Sequence, residues 1–319
     1  MSDPTIDAVA IGRNEGERLL RCLDSLRQAG LRHIVYVDSG STDGSIAAAE
    51  ARGVQVVRLD LSVPFTAARA RNAGVGALPG DSDLIQFVDG DCSLVPAWIG
   101  KAAAFMDDNP TVAAVCGRRR EIAPEASIYN RLIDREWDTP VGPARACGGD
   151  VLMRRTAFAQ VGGFDPRLIA GEEPELCVRL RQAGWQIWRL DAEMTRHDAA
   201  IRRFGQWWRR SRRAGHAYAE GAALHGAPPE RHNVAQTRRA LIWGLGVPLA
   251  AVLGALLLDP VFLLILLLWP LQVLRLSRRD GDPVRATFLT LGKIPEALGV
   301  LEYHLKRLTG RRTGLIEYK

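Results

Sequence analysis

Three short apolar runs in the first ninety residues, 6–11, 33–37 and 84–88, each give way to polar or glycine-rich sequence. Runs of this length, partly β-branched and bounded by turn residues, predict buried strands. Between the first two the spacing changes. Over residues 15–29, Leu19, Leu23 and Leu26 share one face and Gly30 follows as a stop, which predicts a helix. A short helix is expected over 45–51, a strand over 186–190, and a helix over 175–182 with Pro174 in its first turn. Strands alternating with helices build βαβ units and a mostly parallel sheet, whose ligands bind beyond the carboxyl ends of the strands. Three such ends carry polar residues: Gly12-Arg13-Asn14-Glu15, the stretch from Asp38 to Gly44, and Asp89-Gly90-Asp91.

The last third is different in kind. Residues 240–258 contain no charge, and after Asp259-Pro260 the apolar sequence resumes over 261–274. As helices these would span roughly 28 and 21 Å against a hydrocarbon core of about 30 Å, so the first is long enough to cross and the second is short. Arg238 and Arg239 precede the pair, and Arg275, Arg278 and Arg279 follow it. Cytoplasmic positive charge then predicts a helical hairpin with both ends inside, spanning or re-entrant, on the cytoplasmic (inner) membrane. A buried helical pair in a soluble protein is the alternative. From about residue 199 a basic stretch interleaves Arg202, Arg203, Arg209, Arg210, Arg212 and Arg213 with Phe204, Trp207 and Trp208. Next to an apolar hairpin, such a stretch suits a membrane interface better than a nucleic-acid surface. No nucleic-acid partner is expected. Residues 283–319 are amphipathic, with Phe288, Leu291, Ile294, Leu298, Leu301, Leu305 and Leu308 recurring every three or four positions and a break near Pro295. This reads as a helix lying on a membrane or packed on the preceding domain.

Composition sets the divisions. A chain of 319 residues, 47% hydrophobic, can bury a sizeable core, and about 230 residues is an ordinary size for one α/β domain. The expected layout is a domain over 1–230, the hairpin over 240–275 and the tail over 283–319. Cys22, Cys92, Cys116, Cys147 and Cys177 include no Cys-x-x-Cys pair, so they predict reduced, separately buried thiols of a cytosolic compartment rather than disulfides or a zinc site. The first four residues lack an apolar core, and no secretory signal is expected there.

Candidate chemistry centres on Asp89 and Asp91. Two carboxylates one residue apart at a strand end, with Gly90 allowing a bend, suit a divalent cation such as Mg²⁺ that prefers carboxylate and phosphate oxygens. An ordinary turn with helix-capping acids is the bland alternative.

Five segments in order, VAIGRNEGE from Val9, VDSGSTDGS from Val37, ARARNAG from Ala68, FVDGD from Phe87, and GGFDPRLIAGEEPELCVRLRQAGW from Gly162, resemble the inverting, nucleotide-sugar-dependent family 2 glycosyltransferases over the first two thirds of the chain. The resemblance implies a GT-A fold, an α/β domain around a mixed sheet. It implies an enzyme that uses Mg²⁺ or Mn²⁺ and a nucleotide-sugar donor. With the apolar segments, it implies transfer of one sugar to a lipid-linked or saccharide acceptor at the cytoplasmic membrane face, in polysaccharide or glycolipid assembly. By the same resemblance Asp91 is the direct metal ligand, and Asp89 faces the ribose or helps hold the metal. His197 is either a third ligand or a structural histidine. The general base is Glu173, with Glu172 as the alternative, because the family's Glu-Asp-x-Asp-Leu reads Glu172-Glu173-Pro174-Glu175-Leu176 here. Asp38, with Ser39 where a second acid is common, would meet the nucleotide base. Asp43 would contact the nucleoside or cap the helix after it, and Arg69 and Arg71 would meet the diphosphate or base. Gly149 and Asp150 would line the acceptor side. A sugar nucleotidyltransferase and a non-catalytic nucleotide-sugar-binding scaffold remain as alternatives.

Overall fold

Residues 4–310 are described by a computed structural model, in which the three early apolar runs are strands: β1 (Ile6–Gly12), β2 (Ile34–Asp38) and, after the edge strand β3 (Gln55–Arg58), β4 (Leu84–Asp89). They pair in parallel with the carboxyl ends level, Gly12 opposite Asp38 and Ile11 opposite Asp89. That register brings three polar strand ends to one rim of the sheet. The interiors of β1, β2 and β4 are almost wholly buried, which is why they read as continuous apolar runs and not as alternation.

Helix α1 (Glu17–Gln28) buries Leu19, Cys22, Leu23 and Leu26. It begins two residues later than expected, after a turn in which Asn14 and Gly16 take positive φ. Helix α2 (Ser45–Ala51) has the expected bounds, and α3 (Ala67–Ala77) is capped by the Thr66 hydroxyl, which accepts from the Arg69 backbone N–H. Beyond β4 come β5 (Cys92–Leu94), α4 (Trp98–Asp108), β6 (Val112–Glu121), α5 (Ile128–Glu136), β7 (Gly142–Pro143), β8 (Val151–Arg154), α6 (Arg155–Gln160), α7 (Glu172–Gln182) and β9 (Gln186–His197). The strand order is β3-β2-β1-β4-β8-β6-β9-β5, with β7 on β9. Strand β8 lies antiparallel between β4 and β6, so the sheet is mixed, as the fold expectation has it.

Strand β9 runs seven residues past the expected 186–190. Its second half carries charged residues that hide it from an apolar-run criterion, but it is held on both sides, by β6 in parallel and β5 antiparallel. The extension sets His197 opposite both Glu121 of β6 and Cys92 of β5.

The chain divides between Arg202 and Arg203 into two units, and the basic stretch from Arg203 onward falls in the second. Helix α8 (Phe204–His225) opens it. Helices α9 (Val234–Leu241) and α10 (Val247–Leu257) join through a wider turn over Ile242–Gly246 into one apolar helix, Val234–Leu257. A second, Pro260–Asp280, begins as a 3₁₀ helix and continues as α11 (Leu268–Asp280). At 21 residues, this second helix is not short for a bilayer, as was expected from its uncharged part alone. Helices α12 (Pro283–Leu291) and α13 (Lys293–Leu308) follow, and the break falls at Gly292 with Pro295 inside the first turn of α13, where its missing N–H costs nothing. Helix α13 packs on α8: a methyl at Gly215 would overlap the Glu296 carbonyl, one at Gly299 the Arg212 carbonyl, and Arg212 pairs with Glu302 at 2.6 Å. The tail is thus held by small residues on its inner face, while Leu298, Leu301, Leu305 and Leu308 stay exposed. Its last nine residues, 311–319, lie outside the described residues, as do Met1, Ser2 and Asp3.

Candidate active site

One buried guanidinium organises the rim. Arg71, on α3 and 2% exposed, donates from Nη2 to Asp89 Oδ1 at 2.7 Å, and its Nη1 lies 3.0 Å from Glu172 Oε1 and 2.8 Å from Glu173 Oε1. The end of β4 and the first turn of α7 are thereby tied together. Arg119 of β6 adds a weaker contact, 3.4 Å to Asp89 Oδ2, and lies over the Trp137 ring. Gly149 is packed into this cluster: a Cβ there would stand 2.5 Å from Arg71 Nη2, 2.8 Å from Asp89 Oδ2 and 3.0 Å from Glu173 Oε1.

Glu172 and Glu173 differ in accessibility, the first side chain being 4% exposed and the second 17%. Burial, followed by the neighbouring Glu172 charge, pushes the Glu173 carboxyl up to about 7, against the pull of Arg71. A carboxylate with that affinity for a proton can take one from a hydroxyl near neutral pH.

A second cluster adjoins the first. Asp91 Oδ2 lies 3.2 Å from His197 Nε2, and His197 Nδ1 faces Glu121 Oε2 at 3.6 Å, just beyond hydrogen-bond reach. Glu121 is itself fixed, accepting from the Ala199 and Ala123 backbone N–H groups. The Trp137 ring meets His197 edge-on at 4.7 Å. Burial holds the imidazole below its ordinary range, so it is neutral at pH 7 and retains a lone pair for a cation. A carboxylate behind a histidine that faces a second carboxylate is a donor set that fits a divalent ion, and the buried Nδ1 makes no hydrogen bond.

Several expected site residues are placed otherwise. Asp150 is fully buried: Oδ1 accepts from the Asp89 backbone N–H at 3.0 Å, and Oδ2 from Thr195 Oγ1 at 2.6 Å and Arg119 at 2.9 Å. It therefore braces Asp89 from behind. Asp38, 2% exposed, accepts from Tyr36 Oη, Gly40 N and Ser41 N, and so shapes its own turn. Ser39 is buried beside it, its N–H on the Gly12 carbonyl. Asp43 accepts from Ser45 and from Gly16 N at 3.0 Å, tying two loops together. Arg69, two residues from Arg71 and so on the other face of α3, donates to the carbonyls of Asp60, Val63 and Pro64 and stays out of the cluster. The close approach at Gly90 is to β1: its N–H donates to Ile11 O at 2.7 Å. Neither Asp89 nor Asp91 caps a helix, since β5 follows directly. Sequence reasoning missed Arg119, Glu121 and Trp137, because Arg118-Arg119-Arg120 looks like a solvated charge run until the irregular β6–β9 pairing largely buries Arg118 and Arg119 and leaves Arg120 exposed.

Comparison with known proteins follows this geometry. Residues 9–160 match the family described as Glycosyl transferase family 2. Over 202 residues, 58% of the chain is 29% identical to 41% of the pre-mycofactocin glycosyltransferase of Mycobacterium tuberculosis, so the chain spans about two fifths of that relative's length. Another 24% identity relates 58% of the chain to 63% of the O-antigen chain rhamnosyltransferase of Salmonella typhimurium. The N-acetylglucosaminyl-diphospho-decaprenol L-rhamnosyltransferase of M. tuberculosis is 27% identical over 61% of the chain and 76% of its own. Among solved structures, a mannosyltransferase from Pyrobaculum calidifontis in complex with GDP-Man and Mn²⁺ superposes with TM-score 0.66 at 17% identity, over 94% of this chain and 88% of that one. Glucosyl-3-phosphoglycerate synthase from M. tuberculosis, with Mn²⁺ and UDP, gives 0.52 at 19% identity, over 70% and 81%. The chain carries a family 2 glycosyltransferase domain on a GT-A-type fold.

Proposed function

We propose that the chain is an inverting glycosyltransferase that moves one sugar from a nucleotide-diphosphate sugar to a lipid-linked or saccharide acceptor at the cytoplasmic face of a membrane. The observation that carries this reading is the Arg71 junction, which sets a proton-accepting Glu173 beside Asp89 and Gly149 and next to the Asp91–His197 pair. Asp91 and His197, with Asp89 alongside, would hold Mg²⁺ or Mn²⁺, and the ion when bound supplies Lewis-acid neutralisation of the charge that develops on the leaving diphosphate. Glu173 takes the proton from the attacking acceptor hydroxyl. Arg71 positions it and keeps Glu172 from competing, by holding that side chain inward. Attack from the base side, opposite the leaving diphosphate, inverts the anomeric centre in one step.

Membrane attachment is supported by the two long apolar helices, whose Leu256, Leu257, Leu264 and Leu271 are more than half exposed. Arginines at Arg238, Arg239, Arg278 and Arg279 bound them. The two such helices among the described residues are too few to enclose a polymer channel by themselves, which favours single-sugar addition.

The test is nucleoside-diphosphate release from a panel of nucleotide sugars with Mg²⁺ or Mn²⁺, with and without a lipid extract. Release from one donor, stimulated by lipid and abolished in Asp91→Asn, is expected. Wild-type turnover in Asp91→Asn refutes the assignment, and formation of nucleoside triphosphate and sugar 1-phosphate when pyrophosphate is added points to a nucleotidyltransferase. Binding of a donor without turnover points to a scaffold.

A further inference from the structure

Cys92 belongs to neither cluster's proposed chemistry, yet it lies between them. It is 1% exposed, directly follows Asp91, and is the cross-strand partner of His197 in the β5–β9 ladder. Its Sγ lies 3.6 Å from Asp91 Oδ1, while His197 Nε2 lies 3.2 Å from Asp91 Oδ2, and one donor atom from each of the three residues falls within 4.8 Å of the others. A tetrahedral zinc ion with bonds of about 2.0–2.3 Å separates its donors by about 3.3–3.8 Å. The two separations to the Asp91 carboxylate are therefore already close to the edges of such a polyhedron, and the third donor pair lies within 4.8 Å. The donor set is also informative. Mg²⁺ and Mn²⁺ favour oxygen, whereas affinity at a site offering imidazole and thiolate climbs from Mn²⁺ through Co²⁺ to Zn²⁺. Asp150, which also comes within reach of Cys92 and Asp89, is already held by Thr195, Arg119 and the Asp89 backbone and is no competitor as a ligand.

We propose that Asp91, Cys92 and His197 form a thiophilic site that binds Zn²⁺ in preference to Mg²⁺ or Mn²⁺, with Cys92 as a thiolate ligand, so that Zn²⁺ displaces the ion of the transfer reaction. This rests on the reading of Asp91 and His197 as cation ligands. On binding, the Cys92 thiol gives its proton to solvent and the sulfur becomes a metal donor. The spacing of cysteines in the chain did not show such a site, because two of the three ligands are not cysteines and the third residue lies over a hundred positions away.

Co²⁺ is the probe for Zn²⁺ because a cobalt–thiolate bond gives a charge-transfer absorption in the near ultraviolet. The full-length protein is titrated with Co²⁺ in the presence of a nucleoside diphosphate, and separately bound Mn²⁺ is followed by electron paramagnetic resonance during Zn²⁺ addition. The charge-transfer band is expected in the wild type and in Cys147→Ser, a control for the thiols of Cys116, Cys147 and Cys177 that gather elsewhere. It is expected to vanish in Cys92→Ser and in Cys92→Ala, two variants whose circular dichroism reports whether the fold survives. Zn²⁺ should displace Mn²⁺ from the wild type at a concentration at least about tenfold lower than from Cys92→Ser. Mn²⁺ binding that depends on Asp91, but with no thiolate band or with equal displacement in Cys92→Ser, overturns the thiolate site and leaves the cation reading intact. Absence of any Asp91-dependent binding of Mn²⁺ or Co²⁺ overturns both.

Discussion

Arg71 and Glu173 show how stability and function are set against each other within one contact. Three carboxylates, Asp89, Glu172 and Glu173, surround the buried Arg71, and removing it would strand their charge. Arg71→Ala is expected to lose about 3–5 kcal/mol in denaturant unfolding, the usual consequence of breaking a buried ion pair from one side. Glu173 runs the other way. Its carboxyl titrates at about 7 in the folded state, above the ordinary 4.5, so its contribution to stability is present below the unfolded value and fades as pH rises through about 7. Glu173→Gln should therefore melt no lower than the wild type at pH 8 while turnover falls by about 10²–10⁴-fold, the range of a lost general base. The same pKa predicts that wild-type kcat/KM declines as pH drops below about 7. A Glu173→Gln enzyme with normal turnover, or a pH profile flat down to 5, would exclude this residue as the base.

Elements decide where those residues meet. The parallel register of β1, β2 and β4 follows from their buried apolar runs, and it levels Gly12, Asp38 and Asp89 at one rim. What each rim residue does then depends on its own turn. Asp38 and Asp43 close their loops, whereas Asp89 projects into the cluster at 30% exposure. The loop between β7 and β8 brings in Gly149 because no side chain fits there. Gly149→Ala places a methyl against Arg71, Asp89 and Glu173, and the expected outcome is a large loss of kcat at nearly unchanged secondary structure by circular dichroism. Activity within twofold of wild type would show that the cluster yields more freely than its packing implies. The β9 extension has an equal effect, since it alone aligns His197 with Glu121 and Cys92.

At the scale of the whole molecule, the exposed leucines of Val234–Leu257 and Pro260–Asp280 amount to an apolar surface that water does not favour. The protein is expected to float with liposomes in a density gradient and to resist extraction by high salt, because burial of leucine and not charge would hold it. Salt extraction or recovery in the soluble fraction without detergent would count against membrane insertion. Sequence alone determined the strands and helices with strong apolar periodicity, the α/β class, the acids at the end of β4 and the two apolar helices, because each is written in local spacing, while the mixed sheet was implied by the family resemblance and not by spacing. It also marked Glu173 and His197, through their motif context. Only the tertiary structure decided that Asp150 and Asp38 are internal struts, that Arg71 and not Arg69 enters the cluster, and that Glu121, Arg119 and Cys92 stand at the site. The physical reason is that a carboxylate or guanidinium is indifferent to its chain neighbours: its role is fixed by which donors and acceptors lie within about 3 Å after folding. For Asp89 with Arg119 and Asp150, Arg71 with Glu172, and Asp91 with His197, those partners are thirty to over a hundred residues away, whereas Asp38 and Arg69 find theirs within nine.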